Sequence, residues 1–153
     1  MTKYISELFE EFEKLKSRKA KLEFLQQHKN MDLFKAVLQG AFDPNIKWKI
    51  PVPDYTPDDA PIGLNPSNLF QEIPKCTIFA EGHHKGAGVS NGRLEQILIQ
   101  VLESMCKQES LIYEGMLKKK LKVKGLTEKL VLEVFPDLYR TVEPEESKTK
   151  AWR

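Results

Sequence analysis

Residues 4–15 read Tyr4-Ile5-Ser6-Glu7-Leu8-Phe9-Glu10-Glu11-Phe12-Glu13-Lys14-Leu15. Apolar side chains recur there every three or four positions, with Glu7, Glu10, Glu11, Glu13 and Lys14 between them. A 3.6-residue period turns this into one apolar stripe along an otherwise charged helix, which other elements must cover. Working outward, Ser17 has the hydroxyl to cap a second helix, with Leu22 and Leu25, and Phe24 beside them, facing inward and Arg18, Lys19, Lys21 and Gln26 facing out. Asn30 is placed to cap a third, carrying Leu33, Phe34, Val37, Leu38 and Ala41, and Asp43-Pro44 has the form of a cap and first-turn proline opening a short turn through Ile46 and Trp48.

The pattern then breaks. Pro51, Pro53, Pro57, Pro61 and Pro66 are interleaved with Asp54, Asp58, Asp59 and Gly63. Proline lacks an amide donor and disfavours helix at the residue before it, so this is a long irregular connection. Asn65-Pro66 repeats the cap-and-proline signal ahead of Leu69, Phe70, Ile73, Ile78 and Phe79, with Pro74 splitting the segment and Cys76–Phe79 open to a short strand. Four glycines fall between Gly82 and Gly92. After them Leu94, Ile97, Leu98, Val101, Leu102 and Met105 mark the clearest helix, Leu111, Ile112, Met116, Leu117 and Leu121 another, and Thr127 caps a last one stopped by Pro136. The expected fold is all-α: a single compact multi-helix domain over residues 1–140 with a long proline-rich connection, followed by a polar tail, 141–153, expected to fray.

A chain of 153 residues is one domain's worth and is long enough for a core without staples. Cys76 and Cys106 are too few and too far apart for a disulfide scaffold or a thiolate metal site, which fits a reducing compartment. No apolar run approaches the ~20 residues of a membrane span, and the acidic start lacks a signal-peptide core. The expectation is a cytoplasmic monomer that touches no membrane.

Catalytic templates fail. Around Gly82–Gly92 no glycine pair has P-loop spacing, and the dinucleotide fingerprint would need a glycine where Asn91 stands. His83-His84 in an extended loop would point opposite ways, and His28 has no partner at ligand spacing, so neither metal nor cofactor is expected. No nucleophile motif is present and the first-helix carboxylates are solubilising charges, which points to a non-enzymatic protein. Net charge is only +2, so a case for a polyanionic partner rests on distribution. Lys118, Lys119, Lys120, Lys122, Lys124 and Lys129 are opposed only by Glu114 and Glu128, and the run leads into Gly125-Leu126-Thr127 at a helix start. Lysines, a glycine permitting close approach and a threonine hydroxyl are the parts of a backbone-phosphate contact.

Two blocks carry a family resemblance. The first runs from Ile5-Ser6-Glu7-Leu8 through Lys21-Leu22-Glu23-Phe24-Leu25 and Asp32-Leu33-Phe34-Lys35-Ala36-Val37 to Ile46-Lys47-Trp48. The second runs from Glu109-Ser110-Leu111 through Met116-Leu117-Lys118 and Leu121-Lys122-Val123-Lys124-Gly125-Leu126-Thr127 to Val134-Phe135-Pro136-Asp137-Leu138. In this order the chain resembles the N-terminal DNA-binding domain of ATP-dependent DNA ligases, those of phages most of all. It also reads like small proteins of large tailed phages, which implies a viral protein in a host-cell cytoplasm. In the ligases this helical domain grips duplex DNA through phosphates across the minor groove and performs no chemistry. By position the resemblance assigns DNA contacts to Lys47, Lys49, Lys118, Lys119, Lys120, Lys122, Lys124, Gly125, Thr127 and Lys129. The ligase nucleophile sits in a Lys-x-Asp-Gly setting; the nearest match is Lys122-Val123-Lys124-Gly125, and the adenylation and oligonucleotide-binding domains have no counterpart. The function expected is a non-catalytic, sequence-independent double-stranded DNA-binding module. The alternative is an interaction protein that binds and modulates a host or phage replication protein, favoured by the modest net charge and an exposed Tyr55 in the acidic connection.

Overall fold

The computed structural model describes residues 3–139, so the tail expected at 141–153 lies outside the described residues. Seven α-helices are present among them: α1 (Ile5–Glu13), α2 (Arg18–Gln27), α3 (Asp32–Phe42), α4 (Leu69–Glu72), α5 (Asn91–Glu103), α6 (Lys107–Leu117) and α7 (Glu128–Val134), with 3-10 turns at Ile73–Phe79 and His84–Gly86. The fold is all-α. Extended pairing among the described residues is confined to two isolated bridges, Trp48 with Ala80 and Asp58 with Cys106.

Local chemistry sets most helix starts. Ser17 Oγ accepts from the Ala20 amide (3.0 Å), and Thr127 Oγ1 from that of Leu130 (3.2 Å), as their positions before apolar repeats predict. Two boundaries differ from expectation. α3 starts from Met31 with no side-chain cap, whereas Asp43, which ends α3, does open the expected turn: its carboxylate accepts from the Asn45 amide (2.8 Å) and its carbonyl from that of Ile46 (3.2 Å). Asn65 does not cap α4, because its amide donates to Asp58 Oδ2 (2.7 Å) and the Ala60 carbonyl (3.0 Å), folding the connection on itself; Asn68 caps instead. The possible strand at Cys76–Phe79 is 3-10 helix. Pro74 stands in its first turn, where a missing amide costs nothing, and a three-residue repeat aligns Ile73, Cys76 and Phe79, all buried, on one face.

Both halves share one core. Phe9 stacks on Phe34 with centroids 5.0 Å apart, and Phe12 meets Phe24 edge-on at 5.9 Å. α3 and α1 pack on α6, while α2 packs on α7. The proline-rich connection is strapped down: the Thr56 amide donates to Glu103 Oε2 (2.9 Å), the Asp58 amide to the Met105 carbonyl (3.0 Å) and the Ser67 amide to the Ser104 carbonyl (2.9 Å). Tyr55, expected to be exposed, is half-buried and donates its hydroxyl to Glu114 Oε1 (2.6 Å).

The tie between the halves is Glu109. Its carboxylate is 1% exposed; Oε2 accepts from the Ser6 amide (2.8 Å) and Oε1 from that of Leu69 (2.9 Å). Both donors belong to first turns, of α1 and α4, whose amides have no partner inside their own helix. Glu109→Ala leaves two buried amides unpaired and is expected to lower stability by about 3 kcal/mol. The urea midpoint, compared with that of exposed Glu10→Ala, checks this.

Candidate phosphate-binding cleft

The turn after α6 is built around Gly125. The Leu126 amide donates to the Val123 carbonyl (3.1 Å), and Gly125 adopts φ +84°, where a side chain is disfavoured. A Cβ there would also lie 2.7 Å from Lys21 Nζ. The backbone angle is therefore what calls for glycine, and the Lys21 ammonium lies in the space that its missing side chain leaves. The Lys124 amide donates to Glu13 Oε2 (2.8 Å), fastening the turn to the end of α1. Packing of α2 on α7, with an ion pair between Arg18 and Glu133, then sets residues 16–21 against the start of α7.

Between these walls lies a cleft of about 380 Å³ lined by Lys16, Arg18, Lys21, Gly125, Thr127, Lys129 and Leu130. Four of the seven are cationic and none is acidic, so the wall has a single sign of charge. Arg18 is held by Glu133, whereas the ammonium groups of Lys16, Lys21 and Lys129 have no hydrogen-bond or ion-pair partner among the described residues. Lys16 and Lys129 are exposed and Lys21 is half-buried. Unpaired ammonium groups held close together repel one another, and an anion entering the cleft relieves that repulsion.

Of the residues assigned by sequence, Gly125, Thr127 and Lys129 meet in this cleft. Lys120, Lys122 and Lys124 are exposed on the turn that leads to it. Lys118 is exposed but pairs with Glu114 Oε2 (2.7 Å). Burial raises the Glu114 carboxyl, yet hydrogen bonds from Lys118 and Tyr55 and the charges of Lys118 and Lys122 outweigh it, and the net shift is downward. Lys119 and Lys49 turn inward. Lys119, at φ +60°, donates to the Asp43 carbonyl at the end of α3, and burial lowers its pKa to about 8 against the opposing pull of Asp43. Lys49 donates from Nζ to the Gly86 carbonyl (2.8 Å), anchoring the glycine-rich loop, where a Cβ on Gly86 would sit 2.2 Å from the Ile78 carbonyl oxygen. Lys47 is exposed in the bridge segment and does not line the cleft.

Lys16, Arg18 and Lys21 were not singled out by sequence, although a signal exists: Lys16-Ser17-Arg18-Lys19-Ala20-Lys21 carries four cations and no carboxylate. The histidines also differ from expectation. The His83 and His84 rings stack at 4.5 Å instead of diverging, because the 3-10 turn at His84–Gly86 replaces extended backbone, and His83 Nδ1 accepts from the Lys85 amide. Among the described residues no three His, Cys, Asp or Glu side chains gather in a way that would hold a metal. Both cysteines are buried, and burial raises both thiols, the opposite of what a nucleophile needs. No described helix is long and apolar enough to cross a membrane.

The sequence pattern of a family of unknown function, DUF6433, matches residues 8–123. The chain belongs to the DUF6433 family. The DUF6433 span holds the wall formed by Lys16, Arg18 and Lys21, and it ends at Val123, just before Gly125, Thr127 and Lys129. No curated protein matches this DUF6433 chain.

The Lys119 amine titrates lower in the folded chain than in the unfolded one. Between about pH 8 and the ordinary lysine range the unfolded state therefore binds more protons, and this residue makes stability rise with pH across that window. Buried thiols and tyrosines act the other way at high pH, so the quantity to measure is the stability difference between wild type and Lys119→Met. Wild type should gain relative to the variant from pH 8 upward and level off near pH 10.5.

Proposed function

We propose that this protein is a non-catalytic module that binds double-stranded DNA through backbone phosphates, without sequence preference. The observation that carries the proposal is the cleft whose lining has four cations, no carboxylate, and a glycine that leaves room for the Lys21 ammonium. Exposed Lys120, Lys122 and Lys124 extend the same charge along the adjoining turn. Ammonium groups suit phosphate oxygens as point charges and carry no code for base edges, which fits sequence-independent binding. The resemblance to the ligase DNA-binding domain adds support, since it assigns Gly125, Thr127 and Lys129 to a DNA-facing turn. On this proposal the protein acts in a host-cell cytoplasm. The alternative of a protein-binding factor loses the exposed tyrosine that favoured it, because Tyr55 is engaged by Glu114.

Fluorescence anisotropy with a labelled duplex, titrated at several salt concentrations, tests the proposal. One backbone phosphate at the cleft and one at each of the exposed Lys120, Lys122 and Lys124 give a slope of log affinity against log salt of about −4. Replacing Lys21, Lys122, Lys124 and Lys129 with Glu should abolish binding while circular dichroism keeps its helical signature. Salt-insensitive binding, or none at low salt, would contradict the proposal.

A further inference from the structure

The cleft carries more positive charge than one link of a duplex backbone can balance. A phosphodiester brings a single negative charge, and a stiff double helix passing the cleft cannot fold consecutive phosphates into one recess of about 380 Å³. Facing it are three unpartnered ammonium groups, Lys16, Lys21 and Lys129, with Arg18 already committed to Glu133. A phosphomonoester brings a charge of about −1.5 to −2 near neutral pH and three acceptor oxygens, a closer match in charge and in donors. The floor is shaped to admit one. Gly125 has no side chain to displace Lys21, so the Lys21 ammonium lies directly over its bare backbone. Thr127 Oγ1 accepts from the Leu130 amide, which leaves its own hydrogen to donate to an anion.

We infer that this cleft binds a phosphomonoester dianion, held by Lys16, Lys21 and Lys129 with the Thr127 hydroxyl as a directional donor. Two sources share that chemistry, the phosphorylated end of a nucleic-acid strand and a small free phosphate. The inference rests on the cleft used in the proposed function, but not on the duplex contact itself.

The full chain is titrated with two duplexes of one sequence, bearing 5′-phosphates or 5′-hydroxyls, and separately with inorganic phosphate by calorimetry. The phosphorylated duplex should bind at least ten-fold tighter, and added inorganic phosphate should erase that difference. In Lys21→Gln/Lys129→Gln both duplexes should bind more weakly than to wild type, and equally to each other. Lys16→Gln, at an exposed position, gives the same comparison if the double variant melts early; its preference should shrink. Equal, salt-sensitive binding of both duplexes overturns the inference and leaves the duplex proposal standing. Failure of both duplexes, with inorganic phosphate saturating one site that the double variant lacks, supports the inference with a small-molecule source and overturns the duplex proposal. Failure of all three ligands overturns both.

Discussion

One buried carboxylate orders this molecule. Glu109 sits in the first turn of α6 and accepts one amide from α1 and one from α4, so a single side chain satisfies donors that two helix starts cannot pair themselves. Charge without solvent is tolerable only when hydrogen bonds replace the lost water, and the two amides supply them. The consequence is geometric. α1 comes from before the proline-rich connection and α4 from after it, yet both are fixed to the same point on α6.

With α6 placed, the rest of the cationic region follows. Its C-terminal end passes into Lys119, whose inward ammonium holds the end of α3, and then into the turn whose Lys124 amide is held by Glu13 at the end of α1. That tether brings the Gly125 turn beside the start of α2, and the packing of α2 on α7 closes the second wall. Lysines far apart in the chain thus divide into two kinds. Lys49 and Lys119 spend their charge on backbone carbonyls and hold loops, while Lys16, Lys21 and Lys129 have theirs unspent in one recess. The proposed affinity for phosphates depends on the second kind.

Much of this was legible in the residues. Ser17 and Thr127 announce helix starts because each hydroxyl precedes an apolar repeat, and the period of Tyr4–Leu15 and Leu94–Met105 admits only helix. Asn65 misleads because its signal is local while its partner, Asp58, is engaged through the folding of the connection. Cys76–Phe79 misleads because a 3-10 repeat of three resembles a short apolar run. At the cleft, Gly125, Thr127 and Lys129 were readable as a turn with phosphate-binding parts. Lys16, Arg18 and Lys21 were not, because at the start of one helix and in the link before it they look like solvated charges; only the tether from Lys124 to Glu13 and the packing of α2 on α7 bring them against the turn. Lys49 and Lys119 read as free charges for the same reason, since their acceptors lie 37 and 76 positions away.

The most direct test is to record which backbone amides shift in a two-dimensional NMR spectrum as a short duplex is added at low salt. Phosphate binding at the cleft should give the largest changes at Arg18, Gly125 and Thr127, with Lys124 next, and near silence at Tyr55 and Leu64 in the strapped connection. Changes centred on that connection, or a spectrum that does not move, would contradict it.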